Sequence, residues 1–76
     1  MSVDLYVRDL SVLLKEKALE AKKESRVAPE DERAFALGRL MAFHEVISLM
    51  QQQAEAFGIT LKELGLDDIQ PEKDLV

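Results

Sequence analysis

The stretch from Pro29 to Phe57 constrains this chain most, because its apolar residues recur at helical spacing over an arc too wide for one neighbouring helix to cover. At about 100° per residue, Phe35, Ala36, Leu40, Ala42, Phe43, Val46, Ile47, Leu49, Met50, Ala54 and Phe57 spread over about half of the circumference. Pro29 suits the first turn of such a helix, and Glu30, Asp31 and Glu32 complement the positive end of its dipole.

The segment before it reads as a second long helix. From Val3 to Glu24 there is neither glycine nor proline, Ser2 is a fitting N-cap, and Asp4 sits in the first turn. Val3, Tyr6, Val7, Leu10, Leu13, Leu14 and Ala21 form one broad apolar face. Leu5, Val12 and Leu19, seven apart, lie roughly opposite, so this helix is expected to be covered on both sides. Arg8, Lys15, Lys22 and Arg26 flank that second stripe on one side, and Asp9, Glu16 and Glu20 on the other. Two such stripes meeting in parallel would set basic against acidic. The simpler reading is a solvated face with local pairs such as Asp4–Arg8.

Ser25 to Pro29 is the connection, and its shortness makes the two helices antiparallel neighbours. Gly58 ends the second helix, and a third begins at once. Thr60 and Glu63 make a capping box, Ile59 and Leu64 are spaced for a hydrophobic staple, and Gly65 closes it. The spacing therefore predicts helices over about 3–24, 29–57 and 60–64 in a unit of residues 1–65, followed by an acidic tail, 66–76. Leu66, Ile69, Leu75 and Val76 suggest that part of this tail packs, although Pro71 interrupts it. A bare hairpin would leave one side of each apolar arc in water, at about 25 cal/mol per Å². The predicted fold is thus all-α: a long antiparallel hairpin that dimerises into a four-helix bundle with two-fold symmetry. The rival is a three-helix monomer with the second helix broken at Gly38. A glycine costs a helix interior only about 1 kcal/mol, and Ala34, Gly38 and Ala42 make a small-residue stripe that would permit a close helix crossing, so the unbroken helix is preferred.

Seventy-six residues without a cysteine leave helix packing and association as the available means of stabilising a small core. The net charge of −5 argues against a polyanion as partner. It is uneven: +1 over residues 1–26, −2 over 27–50 and −4 over 51–76. That asymmetry suggests orientation between copies. Acid at Asp4, where a secretory leader would be basic, and the lack of any long apolar run make a cytoplasmic location without membrane contact the expectation.

Few residues invite a chemical role. His44 is the only histidine, so one chain offers no histidine pair for zinc. It projects beside Leu37, Leu40, Met41, Ser48 and Gln51, and Ser48 is within possible reach of its ring, but neither an orienting acid nor an oxyanion site accompanies them. Arg39 and Gln53 fall inside the apolar arc of the second helix. A buried arginine needs a partner, and Glu20 or Glu24 across the hairpin would supply one; Arg39 and His44 together are the candidate polar site. Gln53 suits an interface hydrogen bond that fixes register. The basic cluster Lys15, Lys17, Lys22, Lys23 and Arg26 is interleaved with acids and lacks an aromatic platform, which disfavours nucleic acid.

These residues suggest a non-enzymatic, homo-oligomeric interaction protein without metal or cofactor. Its candidate interface comprises Leu5, Val12, Leu19, Phe35, Phe43, Val46, Met50, Gln53 and Phe57. The alternative is an acidic inhibitor, antitoxin-like, whose C-terminal segment masks a basic protein. A small-ligand site between helices comes third.

Overall fold

The computed structural model describes residues 2–76, and all its regular elements are helical. Helix α1 spans Val3–Val27. The Ser2 hydroxyl accepts from the Leu5 amide at 3.2 Å, satisfying one of the free N–H groups of the first turn. The helix runs past Glu24 because nothing stops it before Pro29. The residue preceding a proline is driven out of the α region, and Ala28 adopts φ −61°, ψ 137°.

The segment expected as one helix from residue 29 divides in two. Glu30–Glu32 form a single 3-10 turn, and α2 then runs over Arg33–Ala56. Helix α2 passes through Gly38 unbroken. The close crossing that would account for this glycine is absent within the chain: a Cβ built there meets nothing within 4 Å, and Ala34 and Ala42 are exposed beside it.

Beyond Phe57 the chain turns at Gly58 (φ 70°) into α3, Leu61–Leu64. Thr60 Oγ1 accepts from the Glu63 amide at 3.2 Å, one half of the expected capping box. Gly65 ends this turn at φ 71°, in the left-handed conformation that favours glycine. A last helical turn, α4, spans Pro71–Asp74. Proline at N1 opens it, since an N–H there would have had no partner in any case. Asp74 Oδ2 reaches back to accept from the Gln70 amide at 2.8 Å.

The core lies where the tail meets the hairpin. Ala18 and Ala21 of α1, with Leu40, Ile47 and Ala54 of α2, join Leu64, Leu66, Ile69 and Leu75 in one buried cluster. The alanines let α1 and α2 approach closely. The tail supplies much of the bulk, with Leu66 and Leu75 almost wholly buried. The resulting body is a slab of 43 × 25 × 16 Å with a radius of gyration of 13.5 Å. A chain of this length folded isotropically would have a radius of about 11 Å.

Candidate functional site

The hairpin has two broad faces with opposite fates. On the first, α1 presents Arg8, Ser11, Val12, Lys15 and Lys22, and α2 presents His44, Ser48 and Gln51. The tail lies across this face and is held mainly through its backbone. Lys15 Nζ donates to Gly65 O at 2.8 Å and to Asp68 Oδ1 at 2.9 Å. Lys22 Nζ donates to the main-chain oxygen of Val76, and Arg8 Nη1 reaches Glu63 O at 3.5 Å. From the other side Gln51 Nε2 donates to Leu66 O at 3.1 Å and Ile69 O at 2.9 Å. Cations suit the carbonyl ends of helical turns. Here a row of basic residues seven apart grips main-chain oxygens of α3, its cap and the end of the tail. The hydrogen bond from Lys15, with its positive charge, holds the Asp68 carboxyl below the ordinary carboxylate value.

The opposite charges of head and tail thus meet within one chain. Two of the five residues in the basic cluster, Lys15 and Lys22, are engaged this way. The stripe of Leu5, Val12 and Leu19 is covered only at its middle: Val12 packs on the α3 cap, with its Cγ2 2.8 Å from where a Gly65 Cβ would lie, while Leu5 and Leu19 stay exposed.

The second face is open. Projection of α1 away from the tail brings Val3, Tyr6, Leu10, Leu13 and Lys17 together, and the adjoining side of α2 carries Phe35, Arg39, Phe43, Val46, Met50, Gln53 and Phe57. Phe35 is 78% exposed, Phe57 75% and Tyr6 62%, and Val3, Leu10, Leu13 and Val46 are also exposed. Phe43 and Met50, at the margin, are half-buried and touch the core. Gln53 is exposed here.

At the turn end of this face Arg39 Nη1 donates to Glu24 Oε2 at 2.7 Å, one of the two partners, Glu20 or Glu24, expected across the hairpin. The guanidinium also lies 5.4 Å from the centroid of the Phe43 ring. Both charged groups keep contact with water, so the pair clips the helices together at the surface and forms no buried anion site.

His44 and Arg39 are not brought together. His44 is on the tail side, in a shallow hollow with Leu37, Leu40, Met41, Glu45, Leu75 and Val76. The hydrogen bond to Ser48 that spacing allows is not made; Ser48 Oγ is buried without a partner. A more polar hollow nearby is lined by Ser48, Gln51, Gln52, Glu55, Thr60 and Glu72. Among the described residues no group of three metal-ligating side chains assembles, and no helix is long and apolar enough to cross a membrane.

Sequence reasoning passed over Gln51, one of three consecutive glutamines and the one that holds the tail. Its signal was position: it projects toward the same side as Leu40 and His44. No family model, curated protein or solved structure matches this chain.

Proposed function

We propose that this chain is a homo-oligomeric helical interaction protein whose working element is the open face of the hairpin, two copies of which close into a four-helix bundle. One observation carries the reading. A folded monomer of 8.6 kDa is expected to expose about 4,700 Å² of surface, and this chain exposes 5662 Å². The excess, about 1,000 Å², is close to the roughly 800 Å² that each partner contributes to a standard protein interface. The open face gathers Val3, Tyr6, Leu10, Leu13, Phe35, Val46 and Phe57, all exposed, the kind of apolar surface that marks an interaction site.

Sedimentation equilibrium between micromolar and near-millimolar concentration tests this. A reversible dimer, weakened by Leu10→Glu with helix content intact, is the expected result. A folded single copy across the whole range refutes the proposal. The acidic-inhibitor reading has less behind it, since Leu66, Ile69 and Leu75 of the tail are committed to the chain's own core, leaving Val76 and outward carboxylates such as Asp67 and Glu72 for a basic partner.

A further inference from the structure

We infer that the two copies meet off-centre, over the free end of the hairpin, about a two-fold axis that lies in the open face and passes close to Leu10 and Gln53. This rests on the dimer proposed above and specifies which part of the face is used.

Polarity is distributed unevenly along the face. Its turn half carries the Glu24–Arg39 ion pair and the Arg39–Phe43 stack, with Phe35 beyond them at the turn, and Lys17 stands at its border. Its other half carries Val3, Tyr6, Leu10, Leu13, Val46, Met50 and Phe57, with Gln53 as the one polar side chain among them. The Glu24–Arg39 contact sets the antiparallel register, and in that register Leu10 lies level with Gln53.

A two-fold contact is self-complementary: whatever lies a given distance on one side of the axis meets what lies the same distance on the other. If the axis passed through the middle of α2, the Glu24–Arg39 pair of one copy would rest on Leu13 and Met50 of the other, stripping water from two charges against apolar surface. If the copies ran parallel in full register, each ion pair would be pressed on its counterpart. An axis at Leu10 and Gln53 avoids both. Leu10 then meets Leu10, Tyr6 faces Leu13, and Phe57 faces Leu49 and Met50, while the ion pair stays in solvent and Lys17 lays its methylene stem over Val3 at the edge with its ammonium group in water. The two Gln53 amides meet at the axis, where each both donates and accepts, so one hydrogen-bonded pair satisfies them reciprocally. A polar residue in that position disfavours any shifted register, which would leave it unpaired.

The chain has no cysteine, so single-cysteine variants give a clean readout. Nitroxide labels on Ala34→Cys, an exposed position near the turn, measure the register by electron–electron dipolar spectroscopy. With the axis at Gln53, each label lies nineteen residues from it, and the pair is separated by about 57 Å. A centred axis gives about 32 Å, and a parallel dimer less. Gln53→Cys is expected to oxidise readily to a covalent dimer, because disulfide formation needs Cα atoms within about 7 Å, while Arg39→Cys is not. A dimer showing 32 Å or less, or equal cross-linking at both positions, overturns this register and leaves the dimer standing. A species without any dipolar signal that sediments as one copy overturns both.

Discussion

Deleting residues 66–76 is expected to unfold the hairpin, although the deleted segment begins only after α3 and its Gly65 cap. The magnitude follows from burial. Leu66 is 0% exposed, Ile69 3% and Leu75 1%, and burying a side chain of this size contributes about 1.5–3 kcal/mol. Three of them contribute about 5–9 kcal/mol, before counting the hydrogen bonds that Lys15, Lys22 and Gln51 make to the tail. A domain of 76 residues has a total stability of about 4–11 kcal/mol. The deletion therefore removes a share comparable with the whole. Urea denaturation followed by far-ultraviolet circular dichroism, at a protein concentration below the dimerisation range, is the measurement. The truncated chain is expected to show a broad, early transition or none, while a full-length control with Asp67→Asn and Glu72→Gln keeps the parent midpoint. A truncated chain that unfolds with the parent's midpoint and slope would show that the tail is an appendage and that the core assignment is wrong.

Other expectations are more local. Gly58→Ala places a side chain at φ 70° in open space and is expected to cost about 1–2 kcal/mol; Gly65→Ala, at φ 71° and 2.8 Å from Val12 Cγ2, is expected to cost clearly more, and thermal melts rank the two. Gly38→Ala, exposed in a helix interior, is expected to stabilise the monomer by about 1 kcal/mol in the same melts. A double-mutant cycle on Glu24 and Arg39 in urea is expected to give a coupling of no more than about 1 kcal/mol, because both groups remain in contact with water. Asp68 titrates below its ordinary value when folded, so its contribution is present above the unfolded carboxylate pKa and disappears as pH falls through the folded one. Asp68→Asn is accordingly expected to flatten the stability profile below about pH 4 and to leave its shape near neutrality unchanged.

The parts of this fold that were legible in the sequence are those whose cause is local. Ser2 capping, the Thr60–Glu63 turn and the left-handed Gly65 each depend on residues within a few positions. The reach from Arg39 to Glu24 followed from projecting two helices joined by a short link. The docking of the tail was not legible in the same way, because its acceptors are main-chain oxygens, which every residue carries and none advertises. Lys15, Lys22 and Arg8 therefore read as a solvated stripe, and Gln51 only as a neighbour of His44. Pro71 read as an interruption because its segment is only one turn long, too short to show periodicity; in place it opens α4 as a proline at N1 does. The open face stood out in the sequence as excess apolar arc. Which side of the arc would remain bare depended on where the tail settled.

The grip on the tail has a consequence for tolerance to change. Because Arg8, Lys15, Lys22 and Gln51 hold carbonyl oxygens, outward-pointing residues such as Asp67 and Glu72 are at liberty to differ without loosening the strap. Its length is not at liberty in the same way. One residue inserted or removed between Gly65 and Val76 would carry Leu66, Ile69 and Leu75 out of step with their sockets and the carbonyls out of step with their donors. The segment behaves like a belt cut to a fixed number of holes, indifferent to its colour and strict about its measure.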